Sequence, residues 1–175
     1  ELRGGIETFG LEGPKKKVVA PTFFNLYSNN RFDHNRWGIL HRGGADASGS
    51  PEGLSMLGVV TRRNTMANIV EAGCVLASQG TAGRRMADLN VFEHNQVSDA
   101  PLAIDIGTPK CQDAVADTVL YRNVLKRGAA AQAGSKGIQS AGAGMTILSG
   151  NDVEGFETPV AGSATPAATR DRGKP

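Results

Sequence analysis

The chain has 175 residues, with 19 basic and 17 acidic side chains and a formal net charge of +2. That balance is a small excess and not the basic field by which proteins hold nucleic acid, and the densest runs, Lys15-Lys16-Lys17 and Lys126-Arg127, fall in expected loops. No apolar stretch approaches the roughly 20 residues of a membrane-crossing helix, and 23 glycines with 5% aromatic residues fit tight turns around a narrow aliphatic core.

Short strand-like segments follow one another along the chain. GIETFG starts at Gly5, LYSNNRF spans 26–32 and GILHRG starts at Gly38. VTRRNTM at 60–66, GCVLAS from Gly73, VFEHNQV at 91–97 and AIDIGT from Ala103 come next. VLYRNVL at 119–125, GIQSAG from Gly137 and ILSGNDV at 147–153 complete the series. They sort into two alternating columns. One places Ile6, Ile39, Cys74, Ile104 and Ile138 at equivalent sites. The other repeats an asparagine, at Asn30, Asn64, Asn95, Asn123 and Asn151, in steps of 34, 31, 28 and 28 residues. An aliphatic residue precedes each asparagine by four positions, and an apolar one follows it by two.

A drifting period near 30 residues is the mark of stacked repeats with loops of variable length. The segments are rich in Val, Ile, Leu and Phe and bounded by Gly, Asn, Asp and Ser, which favours strands over helices. Stacking one unit per coil, roughly 4.8 Å apart, should set each aliphatic column in line down an interior. Asparagine suits a sharp bend, because it tolerates left-handed backbone angles and its amide can bond the next amide along the stack. An all-β, right-handed parallel solenoid of about five coils is therefore expected over residues 1–160, with an asparagine ladder, an aliphatic interior and an extended or disordered tail over 161–175.

On these two columns the chain resembles the right-handed parallel β-helix, or pectin-lyase-like, superfamily over residues 5–153. The resemblance implies a protein that is secreted, periplasmic or on the cell surface and acts on or binds polysaccharide. Uronate polysaccharide lyases are among the superfamily's enzymes, but so are adhesins and tailspikes, and fold alone does not choose among them. The paired-aspartate signature of polygalacturonases is missing, as is the acidic calcium cluster of lyases. No metal-ligand spacing is found, and no particular cofactor is implied.

Strand alternation gives the outer face of the isoleucine column as Glu7, Leu40, Val75, Asp105 and Gln139. Glu7 and Asp105 would stand three coils apart, roughly 14 Å, too far for the 5–9.5 Å of a glycosidase acid pair. Leu40 and Val75 between them make that face apolar. A denser cluster of chemistry lies at Arg31, Asp33, His34, Trp37, His41 and Arg42. A lyase needs a base to take the proton α to a uronate and a cation beside the carboxylate. His34, His41, Arg31 and Arg42 are the catalytic candidates, with Trp37, Asp33 and Asp105 as substrate-binding candidates. The competing expectation is a solvated corner with Trp37 as a packing residue and His41 pointing inward.

Cys74 lies in the interior column and Cys111 in a loop, so the pair is not expected to bridge. A start at Glu1 without Met or signal peptide fits a processed chain or a piece of a longer one. Bare coil ends invite pairing with another chain. The alternative function is therefore a non-catalytic β-helix subunit that docks onto another polypeptide or onto copies of itself through uncapped coil ends.

Overall fold

Hydrogen bonds between coils organise the chain, as a computed structural model shows. The structure describes residues 5–13, 16–20, 22–44, 56–79, 87–107, 115, 117–128, 132–140, 145–162 and 165–171. All regular elements among them are strands. The first wall stacks Ile6–Gly13, Trp37–Gly44, Ala72–Gln79, Leu102–Ile106, Lys136–Ser140 and Thr158–Gly162 in parallel. Lys16–Ala20 pairs antiparallel at its edge.

A second sheet has two limbs that meet at the asparagines. Leu26–Ser28, Val60–Arg62, Asn90–Glu93 and Thr118–Tyr121 form the limb before the bend. Arg31–Asp33, Thr65–Ala67, Gln96–Ser98 and Val124–Lys126 form the limb after it. Thr146–Glu154 runs through both. The third wall is short, with Thr22–Phe23, Met56–Leu57 and Ala87–Asp88, and a bridge at Val115. This is an all-β parallel solenoid, as the two columns require. The expectation of about five coils is corrected: among the described residues about three turns close with strands on all three walls, because the third wall has three strands. Thr165–Asp171, in the expected tail, is an extended strand that pairs with Thr146–Glu154.

The isoleucine column stacks in register, from Ile6 through Ile39, Cys74, Ile104 and Ile138 to Val160. Glycine precedes four of the five column residues of the sequence (Gly5, Gly38, Gly73 and Gly137, with Ala103 before Ile104), and it has a steric reason. A Cβ on Gly38 would lie 2.6 Å from Met66 Sδ and 2.7 Å from the Gly73 carbonyl oxygen. Phe32, Met66, Val97, Leu125 and Val153, two residues after the asparagines, fill the opposite side.

One expectation reverses. The aliphatic column four before the asparagines, Leu26, Val60, Val91, Val119 and Ile147, faces outward, and Leu26 is 52% exposed. The residue after each, Tyr27, Thr61, Phe92, Leu120 and Leu148, points in. The reason is a five-residue step. Inward positions recur at 22, 27 and 32, at 56, 61 and 66, and at 87, 92 and 97. Two residues past each, the backbone turns through left-handed angles with φ between 51° and 62°, as at Asn29, Arg63 and His94. Each step thus turns a corner and starts a new three-residue strand.

The residue after the middle corner is the ladder asparagine. Asn95 Oδ1 accepts from the Asn64 backbone N–H (3.1 Å) and from Asn64 Nδ2 (3.0 Å). Asn95 Nδ2 donates to Asn123 Oδ1 (3.0 Å) and to the Thr61 carbonyl (2.9 Å). Asn123 repeats this pattern, Asn151 accepts from Asn123 and donates to the Leu120 carbonyl, and Asn30 is the half-buried end. Asn95→Leu would strand two donors of Asn64 and the Thr61 carbonyl in a dry interior, each costing about 1–3 kcal/mol. Urea denaturation should show a loss of about 3 kcal/mol or more, and a clearly smaller loss for Asn30→Leu. Equal losses at the two sites would contradict a ladder buried in its middle.

Candidate functional site

The corner after the second limb gathers part of the expected cluster. His34 takes left-handed angles (φ 57°) and extends into solvent. Its Nδ1 lies 2.8 Å from Asp33 Oδ1, and Asn68 Nδ2 of the next coil donates to the same oxygen at 2.8 Å. The Asn68 bond holds the Asp33 carboxyl below its ordinary value, with His34 and Arg31 acting in the same direction. Arg31 is exposed beside it. His34 Nε2 is thereby left as the outward nitrogen of a ring oriented by a carboxylate.

Other candidates separate. Arg36 pairs with Glu71 (Nε to Oε1, 2.6 Å) and lays its guanidinium 4.3 Å from the Trp37 ring centre. Trp37 also packs against the buried cluster of Leu40, Ala72 and Val75. Leu40 and Val75, at 2% and 8% exposure, are covered although they face away from the interior. Asp105 lies two coils from Leu40 on this same face, apart from the His34 corner. Arg42 is placed by its backbone in Trp37–Gly44, and its side chain lies outside the described residues.

His41 requires a correction. It alternates with Leu40 and so shares the inward direction of Ile39; it is wholly buried. Its Nε2 lies 2.7 Å from Thr61 Oγ1, and its ring packs between Tyr27 and Phe92 at 5.0 and 6.0 Å. Burial pushes its pKa down to about 3. A neutral ring enclosed in the core meets no polymer, so it leaves the catalytic set. Cys74 is likewise buried, free and pushed up to about 12, which makes it an inert core thiol; Cys111 lies outside the described residues.

A site that the sequence reading did not single out lies at the ladder corner. Arg63, Thr65, His94, Gln96, Arg122 and Val124 line an open groove of about 310 Å³, with Asn64 at its floor. Arg63, His94 and Arg122 each directly precede a ladder asparagine. The signal was present in RRN, EHN and YRN, but it acquires meaning only once the position before the asparagine is known to turn outward. No family model matches this chain, nor does any curated protein or solved structure. Its class therefore rests on the architecture: a parallel β-solenoid with a buried asparagine ladder.

Two groups, the buried His41 and the half-buried Asp105, set opposite pH responses. Unfolded, the His41 ring titrates near 6.5; folded, at about 3. Below pH 6.5 the unfolded chain takes a proton that the fold refuses, costing about 1.4 kcal/mol per pH unit. Burial raises the Asp105 carboxyl to about 6 from 3.8, against the opposing bond from Gln139 (3.0 Å) and the charge of Lys136. Here the folded chain holds the extra proton, so the contribution is present at low pH and lost as pH rises through about 6. Asp105→Asn should stabilise the fold by about 1–3 kcal/mol at neutral pH and steepen the loss between about pH 6 and 4. Urea midpoints across that range test this; a profile parallel to wild type would contradict it.

Proposed function

We propose that this protein is an extracytoplasmic β-helix, of the pectin-lyase-like kind, that binds polysaccharide without cleaving it. The observation carrying this reading is the exposed His34–Asp33–Asn68 chain with Arg31 beside it. Planar donors and acceptors held in fixed directions suit the hydroxyls and ring oxygens of sugars, and they cost little to order on binding. A lyase needs a base and a carboxylate-neutralising cation converging on one sugar. With His41 enclosed, His34 is the remaining histidine at this corner, and its ring stands free in solvent instead of in a water-excluded cleft. Trp37 contributes packing here, since Arg36 lies against its ring.

Affinity electrophoresis through gels containing polygalacturonate, alginate or xylan tests this reading. Retarded migration in at least one is expected, with Asp33→Ala combined with His34→Ala weakening it several-fold. Migration unaffected by every polymer would remove the polysaccharide reading. Release of unsaturated uronate product would restore catalysis.

A second reading, docking onto another polypeptide, is favoured by the outward column Leu26, Val60, Val91, Val119 and Ile147. Phe23, Phe24, Leu89 and Met145 continue it, and among the described residues Val70 is the only exposed large hydrophobic elsewhere. Contiguous apolar surface of this kind marks contact sites. If it docks copies of the chain, Val91→Glu with Val119→Glu should shift sedimentation from a concentration-dependent average to a monomer. A wild-type monomer at all concentrations would exclude self-docking.

A further inference from the structure

The groove at the ladder corner presents two guanidiniums and an imidazole in line. Arg63, His94 and Arg122 occupy the same place in consecutive coils, so neighbours are spaced by roughly 4.8 Å along the solenoid axis. Their backbones are tied to the next coil, with N–H donation from Arg63 to the Glu93 carbonyl (3.1 Å), from His94 to Tyr121 (2.9 Å) and from Arg122 to Ser149 (2.9 Å). One aromatic residue orients two of them: Tyr121 meets the His94 ring edge-on at 5.7 Å and lies 4.8 Å from the Arg122 guanidinium.

The charges are also available. Among the described residues neither Arg63 nor Arg122 pairs with a carboxylate, because the bordering acids are engaged elsewhere. Glu93 faces Arg62 at 3.9 Å, and Asp152 faces Lys126 at 3.9 Å. Between the cations, Thr65 and Gln96 offer a hydroxyl and an amide. Arg31 pairs in register with Thr65, so the track continues toward the His34 corner.

We infer that this corner is a binding track for an anionic glycan laid along the solenoid axis, its carboxylates or sulfates meeting Arg63, His94 and Arg122 on successive coils. A linear pyranose polymer repeats on the same length scale as the coil spacing, so its charged groups meet more than one coil. Nucleic acid fits less well. A duplex strand advances 3.4 Å per phosphate, and single strands need aromatic faces on which bases stack, whereas Arg122 and His94 already lie against Tyr121. The inference deepens the polysaccharide reading and rests on it: that reading requires a sugar polymer, and this one requires its charge.

The test pairs Arg63→Asn with Arg122→Asn. Asparagine stands at this same corner as Asn29, with φ 59°, so the substitution removes charge without straining a left-handed turn. Titration calorimetry compares polygalacturonate with its methyl ester, and dextran sulfate with dextran. Wild type should bind at least one charged polymer about tenfold or more tightly than its neutral partner, as charge-assisted bonds imply, with affinity falling as salt rises. In the double variant that preference should vanish while the melting temperature stays unchanged. The pair that shows the preference tells carboxylate from sulfate.

Equal binding of charged and neutral polymers, or a preference that survives in the double variant, overturns the inference and leaves polysaccharide binding standing. Failure to bind any of the four overturns both for these polymers. Tighter binding of a single-stranded oligodeoxynucleotide than of either polyanion assigns the track to nucleic acid and overturns it as well.

Discussion

The asparagine ladder is the constraint on which the rest of the molecule depends. A narrow solenoid must turn corners, and each corner removes backbone groups from the sheet ladders that would satisfy them. Buried groups left in that state cost about as much as several good hydrogen bonds return. Asn64, Asn95 and Asn123 answer this with one side chain each. Oδ1 takes the backbone and side-chain N–H groups of the preceding rung, and Nδ2 gives to the following rung and to a carbonyl of the preceding coil. Because the side chain bonds across coils, the ladder fixes corner and stacking register together.

That register decides where chemistry can appear. A residue just before a ladder asparagine adopts left-handed angles and projects outward, so Arg63, His94 and Arg122 emerge as a column although 31 and 28 residues separate their asparagines. At the following corner the left-handed Asn68 comes beside Asp33, one coil away. The first wall obeys simple two-residue alternation instead, and it encloses His41 while turning Leu40 outward. Exposed and buried positions thus divide by corner rather than by residue type. A histidine at an inward strand position is a neutral packing group, and histidines at left-handed corners are exposed.

The interior tolerates polar groups where geometry repeats. Thr61 bonds His41, and Asn90 accepts from the Val59 N–H at 3.2 Å as though starting a second ladder at the preceding corner. This second series does not propagate, since the equivalent sites are Val59 and Thr118. Asn90 Nδ2 has no hydrogen-bond partner among the described residues. One complete polar ladder surrounded by aliphatic columns keeps the register unique, because a coil slipped by one residue would bury the outward chain and expose the inward one.

Much of the fold was legible in the sequence because its strongest signals are periodic. The GI column and the repeated asparagine encode strands, stacking and the buried ladder, and alternation around Ile39 and Ile104 correctly paired Glu7, Leu40, Val75, Asp105 and Gln139 across coils. What the sequence could not decide is direction at the corners. A left-handed residue between two short strands breaks simple alternation, so aliphatic character alone put Val60 and Val91 in the core when Thr61 and Phe92 occupy it. The site suffered from the same ambiguity. Residue type and proximity in sequence group His34, Asp33 and His41, but only the first two share a corner and His41 is buried; Arg63 and Arg122 are 59 residues apart by number and two coils apart in space. Composition and period determined that this chain is a parallel solenoid. The five-residue step, visible only in three dimensions, decided which side chains face outward and which face the core.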